Sequence, residues 1–220
     1  MSDKFTAVEQ AAINEAFEEK HLNDFLVKTN KYRTLNKFAK PNQIVFAGDS
    51  ITEGYPIQEL IDNDIAIYNR GISAIRSDYL LKNIDTLIID LNPDKVFILI
   101  GANDLAYGKS VDSIFSNIKE ICLKIEERIP EVKIYILSIY PVNEEEKYKM
   151  SVGLRTNRDI MEINNKLKDF SKNSLNREYL NLYDSLTLKN QLNPKYSYDG
   201  LHLTVAGYLK VTEVLKPYLK

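Results

Sequence analysis

The feature that most limits the fold is a series of short apolar runs, each about a strand long, set apart by stretches with helical spacing. The run Lys95-Val96-Phe97-Ile98-Leu99-Ile100 is apolar without alternation, as expected of a strand covered on both faces. Similar runs at 43–47, 65–69, 132–138 and 179–183 predict four more strands. Between them the spacing predicts a short helix at 57–61 and longer ones at 77–91, 111–129, 156–172 and 204–219. In the stretch 111–129, Ile114, Phe115, Ile118, Ile121, Cys122 and Ile125 fall on one face at i, i+3, i+4, i+7 spacing, so Cys122 reads as a buried, unreactive thiol. Strands alternating with helices imply βαβ units, right-handed crossovers and a parallel sheet. The expected architecture is a three-layer α/β/α fold with a flavodoxin-like five-stranded parallel sheet in the order 2-1-3-4-5. Residues 6–30 carry apolar positions at Val8, Ala12, Ile13, Ala16, Phe17, Phe25 and Leu26, which predicts one or two helices on the outside of the sheet. The expectation is one domain over 1–220, with 1–40 as a helical extension packed on it.

Composition excludes several classes of function. A formal net charge of −2 gives no electrostatic case for nucleic acid or an anionic membrane surface. No apolar run approaches the ~20 residues of a membrane span. The start, Met1-Ser2-Asp3-Lys4-Phe5-Thr6, lacks the basic and then apolar regions of a signal peptide. The single cysteine allows no internal disulfide and fits a reducing, cytoplasmic setting. His21, among Glu18, Glu19, Lys20 and Asn23, reads as a solvated surface residue, and oligomeric state is not legible.

In an open α/β sheet, ligands sit outside the carboxyl ends of the strands. The first strand runs into Gly48-Asp49-Ser50, so Ser50 stands where chemistry occurs. Read alone, that tripeptide is a turn with a helix cap. Gly71 follows the second strand, where a glycine lets backbone approach a ligand closely and offer its N–H. The third strand runs into Gly101-Ala102-Asn103-Asp104, and an asparagine amide there can donate to a developing oxyanion; losing one such donor typically costs about 10²–10³ in rate. His202, three residues after Asp199 in a glycine-containing loop, can face Ser50 with one ring nitrogen while Asp199 accepts from the other. In the order 2-1-3-4-5, the ends of strands one, two and three are neighbours. A nucleophile, oxyanion donors and a base with its carboxylate together make an acyl-transfer site.

In order and spacing, Gly48-Asp49-Ser50, Gly71, Gly101-x-Asn103-Asp104 and Asp199-x-x-His202 resemble the four sequence blocks of the SGNH (GDSL) hydrolases, over about residues 43–219. The resemblance implies a metal-independent serine esterase with no cofactor, acting on a small-molecule ester. It implies Ser50 as nucleophile, His202 as general base and then acid, and Asp199 orienting His202. The implied oxyanion hole is the Ser50 and Gly71 N–H groups with the Asn103 side chain. Ser50 is followed by Ile51 and Thr52, so this is not the Gly-x-Ser-x-Gly elbow of α/β-hydrolases. By family analogy the acyl group is short, acetyl on a sugar or small alcohol.

Other readings fit less of the chain. An acyltransferase, a lysophospholipase or a thioesterase would use the same triad. A flavodoxin-like protein binding phosphate or flavin through Ser50-Ile51-Thr52-Glu53-Gly54 leaves Asn103, Asp199 and His202 unexplained, and Asp49 and Glu53 would repel the anion. A silent scaffold leaves all these residues without a role. One plausible histidine, His202, and no thiolate pair make a poor transition-metal site. The charged stretch 141–155 reads either as a mobile lid or as a solvated loop.

Overall fold

Side chains of the central strands alternate between two apolar cores, one on each face of the sheet. The computed structural model describes residues 7–62 and 66–219, with side chains from residue 21 onward. In chain order it runs α1 (Ala7–Asn36), β1 (Ile44–Gly48), α2 (Ser50–Glu53), α3 (Ile57–Leu60), β2 (Ile67–Gly71), α4 (Ser77–Lys82), α5 (Ile84–Leu87) and β3 (Lys95–Leu99). It continues with α6 (Ala102–Ala106), α7 (Val111–Arg128), β4 (Lys133–Leu137), α8 (Lys149–Val152), α9 (Asn157–Ser171), β5 (Arg177–Leu180) and α10 (Tyr183–Leu186). A small antiparallel pair, β6 (Thr187–Leu188) and β7 (Gln191–Leu192), precedes α11 (Val205–Leu215).

The five-stranded sheet is parallel throughout, in the order β2-β1-β3-β4-β5, as the sequence predicts. Val45, Ala47, Val96, Ile98, Ile134 and Ile136 face the core shared with α4, α7 and α9. Ile44, Phe46, Phe97, Leu99, Tyr135 and Leu137 face the core shared with α3, α10 and α11. The period-2 alternation of a strand is therefore present, but both faces are apolar, which is why the sequence shows unbroken runs. On α7, Ile114, Ile118, Ile121, Cys122 and Ile125 are buried, each aliphatic side chain contributing about 1.5–3 kcal/mol. Burial raises the Cys122 thiol to about 12, so it stays protonated and inert.

Several boundaries differ from expectation. The stretch 77–91 is not one helix. Asn83, at φ −114° and ψ 23°, ends α4 and opens α5, and its Nδ2 turns back to Tyr79 O at 3.1 Å. Such a side chain competes with the helix backbone. The fifth strand stops at Leu180 because Ser138 Oγ accepts the N–H groups of Leu182 (3.0 Å) and Tyr183 (2.9 Å), which bends the chain into α10. The last helix ends at Leu215, followed by a 3₁₀ turn, Lys216–Tyr218. The second strand is Ile67–Gly71, and the expected start at Ile65 lies outside the described residues.

The N-terminal segment forms one helix of 30 residues, not two. The expected apolar positions Val8 to Phe17 and the Met1–Thr6 start lie outside the described side chains. Phe25 is buried in the core, and His21 is half-buried where the sequence suggests a solvated residue. Asn36 joins α1 to the body through Nδ2 to Thr86 O (2.8 Å) and through Oδ1, which accepts Arg70 Nη2 (2.9 Å). Among the described residues, no helix is long and apolar enough to cross a membrane.

Candidate active site

Ser50 is the first residue of α2, directly past the end of β1. Asp49 caps this helix by accepting the Ile51 N–H at 3.0 Å, which fixes the sharp strand-to-helix turn. Ser50 Oγ lies 3.0 Å from His202 Nε2, and His202 Nδ1 lies 2.6 Å from Asp199 Oδ2. The Asp199 Oδ1 atom accepts the backbone N–H groups of His202 (2.7 Å) and Leu201 (3.0 Å). Both carboxylate oxygens are thus occupied, and the loop is wound around the carboxylate so that the imidazole has one orientation. Burial pushes the Asp199 carboxyl up, but the bonds from the His202 side chain and the two N–H groups outweigh it and hold Asp199 below the usual carboxylate range. Tyr198, largely exposed, stacks on the His202 ring at 6.0 Å.

Asp49 behaves differently. It is 2% exposed, and burial raises its pKa to about 6 against the opposing Ile51 N–H, Arg155 and His202. In the Gly101-Ala102-Asn103-Asp104 segment, Gly101 has φ +124°, and a Cβ there would meet Ile139 Cδ1 at 2.7 Å, so only glycine fits the turn out of β3. Asp104 is structural. It accepts the Ser77 N–H (2.9 Å to Oδ2) and Oγ–H (2.5 Å to Oδ1), tying α6 to the start of α4. Asn103 donates from Nδ2 to Ile75 O at 3.0 Å and accepts Arg155 Nη2 on Oδ1 at 2.8 Å. These two partners fix which end of the amide is oxygen and leave its second N–H for another acceptor.

The expectation for Gly71 needs correcting. Its N–H already donates to Asn69 Oδ1 at 2.8 Å, so it has no proton to offer an oxyanion. The glycine is required for packing instead, since a Cβ at Gly71 would lie 2.2 Å from Glu53 N. The next two N–H groups are also engaged, Ile72 with Gly48 O (3.0 Å) and Ser73 with Glu53 Oε2 (2.6 Å). Ala74 follows in the left-handed region at φ 64°, beside Ile75, whose carbonyl holds Asn103. Among the described residues, the N–H groups of Ser50 and Ala74 donate to no protein acceptor. The sequence gives no signal for Ala74, because alanine rarely adopts this conformation.

Neighbouring elements brace this loop. Glu53 accepts Lys28 Nζ from α1 as well as Ser73 Oγ, and these bonds outweigh burial to keep its carboxyl low. Tyr32 of α1 donates to Gly71 O at 2.8 Å. The stretch 141–155 is solvated along much of its length and anchored at both ends. Pro141, Val142, Asn143 and Arg155 are buried, and Asn157 holds Val142 through both its N–H (2.9 Å) and its carbonyl (2.8 Å). Most of Glu144–Met150, with Gly153 and Leu154, is exposed.

The sheet order, with a serine past β1 joined to an imidazole and a carboxylate past β5, defines an α/β protein whose polar residues gather at the carboxyl ends of the strands. The chain belongs to the GDSL-like lipase/acylhydrolase family, whose model matches residues 46–210. A Streptococcus pneumonia protein assigned as a platelet activating factor is 36% identical and superposes with a TM-score of 0.90, over 96% of this chain and 99% of that one. A GDSL-like lipase from Bacteroides thetaiotaomicron is 25% identical, with a TM-score of 0.77 over 87% of this chain and 96% of its own. An N-acylneuraminate cytidylyltransferase from Escherichia coli is 30% identical over 195 residues, taking in 82% of this chain and 42% of that protein. This chain therefore spans about two fifths of the length of that relative.

Proposed function

We propose that the protein is a cytoplasmic serine esterase that hydrolyses small, short-acyl carboxylic esters through an acyl-enzyme on Ser50, without a metal ion. The observation that carries this reading is the continuous chain from Ser50 Oγ to His202 Nε2 (3.0 Å) and from His202 Nδ1 to Asp199 Oδ2 (2.6 Å). Neutral His202 takes the Ser50 proton on Nε2 as Oγ forms a bond to the ester carbonyl carbon. The carbonyl electron pair moves onto oxygen, which accepts from the Ser50 and Ala74 N–H groups and the second Asn103 N–H. Collapse breaks the bond to the alcohol oxygen, and His202 returns its proton to that leaving group. Water then repeats the sequence and frees the acid. Asp199 stabilises the imidazolium without itself being protonated.

The short acyl group rests on family analogy. The relative bearing N-acylneuraminate in its name makes O-acetylated sugars the first natural esters to try. The contacts of Lys28, Tyr32 and Asn36 support treating α1 as an extension packed on the same domain. The single buried cysteine fits a cytoplasmic setting.

The test compares p-nitrophenyl acetate, butyrate and octanoate with wild type and Ser50→Ala. Serine-dependent turnover favouring acetate is expected. Preference for octanoate would replace the short-acyl reading with a lipid or thioester substrate. Equal turnover by the two proteins would overturn the esterase mechanism.

A further inference from the structure

Arg155 is 8% exposed, yet among the described residues no carboxylate lies within ion-pair distance of it. Its guanidinium donates only to neutral oxygens: from Nε to Ala102 O (2.8 Å), from Nη1 to Ser151 O (3.1 Å) and Val152 O (2.9 Å), and from Nη2 to Asn103 Oδ1 (2.8 Å). A buried cation without an anionic partner is costly, and a chain needing only to tie down a loop could do so with a neutral group. What the charge adds is an electrostatic effect on the groups it touches.

Two of those groups are consecutive in the oxyanion segment. The Ala102 carbonyl and the Asn103 side-chain carbonyl are held by one rigid fork, a geometry an ammonium cannot reproduce. A charge-assisted bond to Oδ1 draws electron density from the amide and makes its N–H groups stronger donors. It also forbids the flipped amide, which would turn NH₂ toward the guanidinium and oxygen toward Ile75 O. The same segment reaches the other half of the site, because Ser151 Oγ donates to the carbonyl of Asp199. Burial lowers the Arg155 pKa, with Asp49 and Asp199 opposing.

We infer that Arg155 is a positioning residue for ester hydrolysis, holding and polarising Asn103 so that its free N–H stabilises the oxyanion, and that the Ser151–Arg155 turn couples the oxyanion side to the Asp199–His202 side. This rests on the esterase reading above. The alternative is a purely structural arginine that closes the end of α8 through Ser151 O and Val152 O.

The experiment is a double-mutant cycle of Arg155→Ala and Asn103→Ala on p-nitrophenyl acetate, with Ser50→Ala as reference and thermal unfolding to confirm folding. Arg155→Ala is expected to lower kcat by roughly ten- to a hundredfold with KM changed by less than about threefold. The double variant should be no slower than Asn103→Ala alone, because both remove the same donor. Millimolar guanidinium should restore part of the rate to Arg155→Ala and none to the double variant. If the alanine variant does not fold, Arg155→Lys, which keeps the charge and stem, should show the same kcat loss and the same non-additivity. Multiplicative losses in a folded double variant, or an unchanged kcat in a folded Arg155 variant, overturn the inference while the esterase reading stands. Wild-type turnover equal to that of Ser50→Ala overturns both.

Discussion

Gly71 donates its backbone N–H to Asn69 Oδ1 at 2.8 Å, and the same amide donates from Nδ2 to Thr52 O at 2.7 Å. One side chain thus stitches the end of β2 to α2, the helix that begins at Ser50. Asn69→Ala would leave the partly buried Gly71 N–H without an acceptor, at a cost of about 1–3 kcal/mol, while Thr52 O keeps the Tyr55 N–H at 3.2 Å. Denaturant unfolding should show that loss, and kcat should fall with it as Ser50 loses its support. Asn69→Asp keeps the acceptor but not the donor and should fall between the two. Unchanged stability in the alanine variant would show that α2 is held by other contacts.

The chain from Ser50 to Asp199 predicts a steep activity loss with little loss of fold. Ser50→Ala and His202→Ala should each lower kcat/KM by about 10⁴-fold or more, and the double variant should be no worse than either. Thermal unfolding should change little, because Ser50 and His202 are only partly buried. Near-wild-type turnover in either would remove that residue from the mechanism.

On the esterase reading, Asn103→Ala removes one of the three proposed oxyanion donors. Steady-state kinetics should show kcat reduced by about 10²-fold or more, with a smaller change in KM, because the bond strengthens as the carbonyl oxygen gains charge. A raised KM at unchanged kcat would instead mark Asn103 as a ground-state binding residue.

What the sequence discloses depends on whether a residue's role is written in its type. The unbroken apolar run through Phe97 announces a central strand, whereas Ser50, Asp199 and His202 each have turn or cap readings and point to a site only through their order along the chain. Strand and helix ends were less legible, since Ser138 and Asn83 act through particular hydrogen bonds that no periodicity reports. Arg155 was hidden because an arginine in a charged stretch reads as solvent-facing, whereas its guanidinium is turned inward onto Ala102 O, Asn103 Oδ1, Ser151 O and Val152 O. Gly71 drew attention as a glycine after a strand, but its absent side chain serves the approach of Glu53.

Gly71 and Ala74, three residues apart, are separable experimentally. Gly71→Ala would place a Cβ 2.2 Å from Glu53 N, so stability and activity should fall together, by a few kcal/mol in unfolding free energy. Ala74→Gly keeps the N–H and relieves a left-handed alanine at φ 64°, so it should retain activity within about twofold and gain up to about 1 kcal/mol. Loss of most activity in a stable Ala74→Gly would count against this assignment of the donor.

Asp49 gives the stability curve a recognisable sign. Its pKa rises from 3.8 to about 6 on folding, chiefly through burial. Between those values the folded chain holds a proton that the unfolded chain has lost, so stability falls as pH rises through the window and levels off above it. Asp199 and Glu53 are held low, so their stabilisation is lost only as pH falls below the ordinary carboxylate range. Asp49→Asn removes the titration while keeping an oxygen to accept the Ile51 N–H. Guanidinium unfolding at intervals from about pH 4.5 to 8 should show wild type losing roughly 2 kcal/mol relative to Asp49→Asn on going to the alkaline end. Parallel curves for the two proteins would mean that Asp49 is ionised throughout, with its charge met by Arg155 across the buried side of the site.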